Sequence, residues 1–331
     1  MYVIKHVPED FVVSEILDLD AIKSENGNYS LFNLKKRTID TFSLISKISK
    51  KLSIEKKHIG YCGIKDKKAI TEQHISIPIK YKNKATSLDF SNLGFELNHI
   101  SEISSKLNIG DNIGNEFSIV VRNLDNEDFP VLKSNKFLVP NYYGDQRFST
   151  MNIEIGRNLV KKDFKSAIEL IERDSEFSGI VSEFLQINKN DFIGALSKIP
   201  KERLIFYIHS YQSYMWNEAV EILLSDDDWP SQQKIPTLGF STMLFGEIRD
   251  AYSGIISKEK INMRDFIIRE LPFLSMDGTE RDLYMDVKNF KYFFDKDEFF
   301  ENKKKCKLEF ELGKGSYATE LIKYIFKKSS S

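Results

Sequence analysis

"GYCGIKDKKAITEQHISIPI", Gly60 to Ile79, sets one acid among bases: Asp66 stands between Lys65 and the pair Lys67-Lys68, with Gly60 and Gly63 upstream. Downstream, Gln73, Ile75, Ile77 and Ile79 fall on one face of an extended chain, because side chains alternate along a strand. The stretch therefore predicts a short strand, a glycine-bounded loop and a second strand, with a lone carboxylate at the mouth of a sheet. A charged turn is the ordinary use of such a segment. The chemical use is a carboxylate that attacks a substrate or removes its proton. A free Asp titrates at about 3.9 and is ionised at neutral pH without help. In a closed pocket desolvation raises that value, and nearby cations offset the rise. Lysines at these positions, Lys65 among them, would keep the acid anionic and would bind a substrate's phosphates.

The flanking sequence extends the pattern. "DFVVSEIL" (10–17), "YSLFNLKK" (29–36) and "NEFSIVVRNL" (115–124) read as strands. Asp40 predicts an N-cap, followed by a helix with Phe42, Ile45, Ile48 and Leu52 on its apolar stripe. Lys47, Lys50 and Lys51 fall off that stripe. Past residue 150 the period becomes helical. Residues 157–174 place Val160, Phe164, Ala167, Ile168 and Ile171 on one face, and 204–224 form a second helix. A polar, Pro-containing loop is expected over 225–236. "CKLEFEL" (306–312) alternates again, "GKG" turns the chain, and Ser316 is placed to cap a last helix. An α/β domain built from both ends of the chain, interrupted by a mainly helical insertion, accounts for this order.

Composition narrows the class. At 331 residues the chain is long enough for two or three domains. No apolar run approaches the ~20 residues that span a bilayer, and the start has no apolar signal-peptide core. Cys62 and Cys306 are too few for a disulfide framework and lack zinc spacing, and the five histidines make no H-x-x-x-H pair. A cytoplasmic protein without metal or cofactor is expected. The net charge is −1, yet residues 31–85 hold 14 Lys and Arg against 4 Asp and Glu. That asymmetry predicts a basic face for a polyanion.

Three further stretches carry chemistry. "PNYYGDQRFS" (140–149) joins an amide, two tyrosines and an arginine: Asn141 is able to hydrogen-bond a base edge and an aromatic such as Tyr143 to stack on it. "GKGSYAT" (313–319) reads as a strand–turn–helix junction with Tyr317 available to stack. "HSYQSYMWN" (209–217), together with the preceding turn, brings Tyr207, Tyr211 and Tyr214 near one helical face, as core or interface.

Taken in order, "PEDFVVSE" (8–15), "LFNLKKRTIDT" (31–41), "GYCGIKDKKAITEQ" (60–73), "PNYYGDQRFS", "HSYQSYMWN" and "FELGKGSYAT" (310–319) make the chain similar to the TruD family of tRNA pseudouridine synthases from end to end. The resemblance implies an α+β pseudouridine-synthase catalytic domain with a mixed, largely antiparallel sheet over 1–150 together with 277–331. It implies an inserted, mainly helical TRUD domain over 151–276. It further implies isomerisation of uridine in RNA, usually uridine 13 of tRNA, without cofactor or metal. The family's catalytic aspartate falls on Asp66, and its other site positions fall on Phe11, Asn141 and Tyr317. Cys62 replaces the family's usual Ala, and Tyr317 and Tyr143 stand where many members have Phe. tRNA is the expected partner, with no membrane and no obligate protein partner. The rival reading is a catalytically silent RNA-binding or tRNA-folding protein of the same fold. A carboxylate-dependent phosphohydrolase would need clustered acids for Mg²⁺, and the near sequence neighbours of Asp66 are lysines.

Overall fold

The computed structural model describes residues 2–65, 69–125, 129, 132, 138–148, 151–226 and 229–326. The catalytic candidate Asp66, the neighbouring Lys67 and Lys68, and the 327–331 tail lie outside the described residues. The chain forms two compact units. One comprises Met1–Phe137, Asp286–Ala318 and Ile322–Ser331, the other Leu138–Met285 and Thr319–Leu321.

Ten strands are described: β1 (Phe11–Ile16), β2 (Tyr29–Arg37), β3 (Gly60–Tyr61), β4 (Ile70–Pro78), β5 (Phe95–Ile103), β6 (Gly114–Leu124), β7 (Lys234–Pro236), β8 (Glu280–Asp282), β9 (Val287–Lys296) and β10 (Lys304–Gly313). The first unit is built on a sheet of order β5-β2-β4-β1-β6-β10-β9, with β3 added to β4. β1 and β4 run parallel, and the other neighbouring strands of this sheet pair antiparallel. The fold is thus α+β with a mixed, mostly antiparallel sheet. Register carries one face across the strands: Phe11 opposes Ile119 and Ile119 opposes Leu308, Val13 opposes Phe117 and Phe117 opposes Phe310, Glu15 opposes Asn115 and Asn115 opposes Leu312. On β1 that face, Phe11, Val13 and Glu15, is buried while the alternate residues are half-buried. On β4 both faces are covered, so His74 and Ser76 are buried as well as Gln73, Ile75 and Ile77. Ile79 lies past the strand end, in a 3-10 turn.

Two short helices, α1 (Leu19–Ile22) and α3 (Lys82–Ser87), flank the longer α2 (Thr41–Leu52). As expected, the Asp40 carboxylate caps α2, accepting from Ser43 N at 2.8 Å. The buried stripe differs from expectation: Thr41, Leu44, Ile45, Ile48 and Leu52 face inward, and Phe42 is 58% exposed. Thr41 takes the inward position and hydrogen-bonds Gln73 (3.3 Å). At about 100° per residue this turns its neighbour Phe42 off the packed face.

The second unit holds α4 (Asn152–Val160), α5 (Phe164–Asp174), α6 (Ser178–Ile187), α7 (Phe192–Leu196), α8 (Lys201–Asp226) and α9 (Gly246–Glu259), with the small β7–β8 pair. The single helix expected over 157–174 is two. Lys162 adopts left-handed backbone (φ 60°), and Asp163 caps the next helix by accepting from Ser166 N. The 225–236 segment is helix at its start and strand at its end rather than loop throughout. Tyr207, Tyr211, Met215 and Trp216 of α8 are buried in this unit's core, so the 209–217 motif builds the core. The boundaries between the two compact units fall at 137/138 and 285/286, with Thr319–Leu321 also in the second. The 138–148 stretch pairs with 283–285 through Asn141 N to Leu283 O and Met285 N to Val139 O, both 2.8 Å. The last helix, α10 (Ala318–Phe326), starts two residues after Ser316. Among the described residues no helix is long and apolar enough to cross a membrane.

Candidate active site

Parallel pairing sets the first part of the site. Val12 opposes Ile70, so the start of β1, with Phe11, lies beside the start of β4. Phe11 is buried, its ring edge-to-face on Phe117 (6.3 Å). Phe117 stacks in turn on Phe310 (5.3 Å), and Phe310 on Phe290 (6.1 Å). Aromatic pairs of this kind stabilise neighbouring strands. Lys5, which sequence reading passed over, holds its ammonium 4.1 Å from the Phe11 ring centroid. Its backbone is left-handed there (φ 56°), and no sequence period marks such a contact.

Lys65, the residue before Asp66, is fixed at three atoms. Its backbone N–H donates to Thr41 Oγ1 (3.1 Å), its carbonyl accepts from Lys36 Nζ (3.4 Å), and its own ammonium donates to Asn115 Oδ1 and pairs with Glu15 Oε2 at 3.2 Å. Lys36 is itself buried and also donates to Ile39 O (2.7 Å). Glu15 Oε1 accepts from His74 N (3.0 Å). Burial alone would raise the Glu15 pKa. Hydrogen bonding from His74 and the charge of Lys65 outweigh it, and the carboxyl sits below its ordinary value. Burial and the neighbouring Glu15 push the Cys62 thiol up, so this substitution in the loop brings no reactive thiolate. The Lys65 amine is thus turned inward, onto Glu15 and Asn115. Glu15 stood in "PEDFVVSE" without a role. Its inward position on a buried strand face was the available signal.

At the other end of the chain, Leu312 opposes Asn115 and Gly313 opposes Gly114. The end of β10 thus lies beside the Lys65–Asn115–Glu15 cluster. The chain turns there, with Gly315 left-handed (φ 83°) and Ser316 N donating to Gly313 O. Tyr317, half-buried, follows that turn and precedes α10.

Asn141 and Tyr143 belong to the second unit. Asn141 is buried, and its amide is oriented by its own unit: Nδ2 donates to Asp282 O (3.2 Å), and Oδ1 accepts from Arg281 Nη2 (2.9 Å). Arg281 also donates to the Asn141 carbonyl through Nε (2.9 Å) and Nη2 (2.7 Å), and its guanidinium lies 3.9 Å from the Tyr143 ring centroid. Tyr143 packs edge-on against Trp216 (5.6 Å), while Asn217 bonds both its N–H and its carbonyl. Arg281 is a residue that sequence reading missed, since it reaches Asn141 from 140 positions away.

Known proteins share this arrangement of elements. The family model described as tRNA pseudouridine synthase D (TruD) matches residues 2–178 and 231–325. The chain is 32% identical to "Probable tRNA pseudouridine synthase D 2" of Methanocaldococcus jannaschii, over 96% of this chain and 90% of that protein. It is 28% identical to "tRNA pseudouridine synthase D" of Aquifex aeolicus, over 98% and 97% respectively. A crystal structure of the "Putative tRNA pseudouridine synthase D (TruD)" from Methanosarcina mazei superposes with a TM-score of 0.71 at 24% identity, covering 98% of this chain and 93% of that one, a likeness of fold. Phe11, Lys65, Asn141 and Tyr317 all lie within the matched residues, and so does Asp66. With a family model spanning most of its length and relatives covered nearly end to end, the chain belongs to the tRNA pseudouridine synthase D (TruD) family.

Proposed function

We propose that the chain isomerises uridine to pseudouridine in tRNA, at uridine 13, with Asp66 as the catalytic carboxylate. The observation that carries the reading is family membership combined with the sequence "GIKDKK", whose Asp66 stands where the resemblance puts the family's catalytic aspartate. The C1′–N1 glycosidic bond breaks, the uracil turns, and a C1′–C5 bond forms. C5 gives up its proton and N1 gains one, so the reaction is redox-neutral and needs no co-reactant. The carboxylate has two routes: attack on C1′, or removal of the C2′ proton to give a glycal. A carboxylate facing an anomeric carbon parallels retaining glycosidases.

On this reading the sheet-bearing unit is the catalytic domain and the helical unit the family's TRUD domain. Lys65 positions the Asp66 loop through Glu15 and Asn115. Phe11, Asn141 and Tyr317 stand at the family's other site positions, the Asn141 amide oriented by Arg281 and Tyr143 beside that arginine. A base taken out of its stack is the general requirement for chemistry on a nucleotide. The deciding experiment is Asp66→Asn, assayed by pseudouridine mapping on an unmodified tRNA transcript. Product should vanish while the circular dichroism spectrum and tRNA affinity stay near those of the parent. Substantial turnover by the variant, with mass spectrometry excluding deamidation, would remove Asp66 from the mechanism.

A further inference from the structure

We infer that the open groove between the first turn of α2 and the 106–109 segment holds a single-stranded stretch of the RNA substrate. A base lies on Phe42, and phosphates lie on Lys56 and Lys106. The inference rests on RNA being the substrate. The groove has a volume of about 550 Å³, within the usual range for ligand clefts. Phe42 and Ile109 form its apolar wall, 58% and 75% exposed, and Tyr61 is half-buried beside them. Gly60 shapes the floor: a Cβ there would collide with the Leu107 carbonyl and the Lys106 stem, so glycine brings β3 against the 106–107 segment.

The groove's chemistry is that of a nucleotide strand. Lys56 and Lys106 bring two ammonium groups to it. Lys106 donates to the Lys57 carbonyl (3.0 Å), which fixes its head while leaving it cationic and free to make further bonds. The nearby acids are already engaged: Glu55 pairs with Lys57 (2.8 Å), and Asp111 accepts from Asn108 N (2.7 Å). Exposed rings beside cations are the ordinary means of holding single-stranded nucleic acid, stacking on any base while the cations follow the backbone. The groove is also tied to the catalytic loop. Tyr61 stands four residues before Lys65, and Thr41, next to Phe42, receives the Lys65 N–H. A strand seated in the groove therefore bears on the same helix turn that pins the loop.

The test uses full-length chain carrying Phe42→Ala or the pair Lys56→Gln and Lys106→Gln, none of which empties a buried site. Steady-state kinetics on an unmodified tRNA transcript should show KM raised about tenfold by each change, with kcat within about twofold. Filter binding from about 50 to about 200 mM salt should show the lysine pair flattening the slope of log K against log salt by about 1.4, at roughly 0.7 per single-strand phosphate neutralised. A photo-crosslinking amino acid at position 42 should capture tRNA. Unchanged KM, unchanged slope and no RNA adduct overturn the groove while leaving pseudouridine formation by the parent intact. A parent that binds tRNA but makes no pseudouridine overturns the proposed activity, and the slope and adduct then decide the groove separately. Capture of a protein instead of RNA from lysate overturns the groove as well.

Discussion

Lys65 is held by its N–H, its carbonyl and its ammonium, and that decides what the residue is free to do. A lysine reaching for phosphate would leave its head in solvent. This one spends it on Glu15, whose side chain is fully buried. Breaking one half of a buried pair strands the other charge and costs about 3–5 kcal/mol. Glu15→Gln should therefore lower stability by about that amount in denaturant unfolding at pH 7, and reduce kcat more than it raises KM, because the loop loses its tether while the substrate's own partners stay in place. The pH dependence has a definite sign. The folded pKa of Glu15 is depressed, so its stabilisation is present above the unfolded value of 4.5 and is lost as pH falls through the lower folded value. The gap in Tm between parent and Glu15→Gln should thus narrow as the solution is acidified below about 4.5. A gap that stays constant to low pH would mean that the pair does not stabilise the fold.

At the scale of elements, α8 gives a second titration of the same sign from a base. His209 is pushed down to about 4, by burial first and by the charge of Arg147 second. The unfolded chain takes up its proton before the folded one, so this stabilisation is full above the ordinary value of 6.5 and drains away toward about 4. Both tryptophans of the chain, Trp216 and Trp229, lie in the second unit, so their fluorescence reports its unfolding. Between pH 7 and pH 4.5 the parent should lose more Tm by this probe than His209→Gln does. Equal losses would show that the imidazole is already charged or exposed.

What the sequence reveals and hides follows the same scale. β1, β2, β6 and β10 were legible to within two residues, because alternation is local and these strands have buried faces. The break in the 157–174 helix was not, because it rests on a left-handed lysine at 162 where a glycine would have signalled it. Periodicity puts Phe42 on the buried face because it weighs apolarity, whereas Thr41 takes the inward position, where it bonds Gln73. Of the candidate site residues, Phe11, Lys65, Asn141 and Tyr317 are nameable through their motifs. The partners Glu15, Asn115 and Arg281 are not, since they meet those residues through register and long-range packing.

At the scale of the whole molecule, the net charge of −1 conceals a division. The first unit carries 31 Lys and Arg against 25 Asp and Glu, and the second 17 against 24, giving +6 and −7. Phosphate binding should therefore be concentrated on the sheet-bearing unit. Within it, several basic side chains are already paired with acids: Lys35 with Glu72, Arg37 with Glu9 and Lys82 with Glu102. Lys50 and Lys51, exposed at the end of α2, carry their charge outside those pairs. Each phosphate neutralised releases counterions, so log K for tRNA should fall linearly with log salt. Replacing Lys50 and Lys51 by Gln should weaken binding and flatten that slope by about 0.7 to 0.9 for every phosphate no longer neutralised. Replacing two exposed lysines of the helical unit, Lys165 and Lys258, should leave the slope within error of the parent, because the surrounding net negative charge disfavours phosphate there. Filter binding of all three proteins across one salt series settles the matter: an equal flattening in both variants would spread the RNA-binding surface over both units, and an unchanged slope in the Lys50 and Lys51 variant would take it off this end of α2.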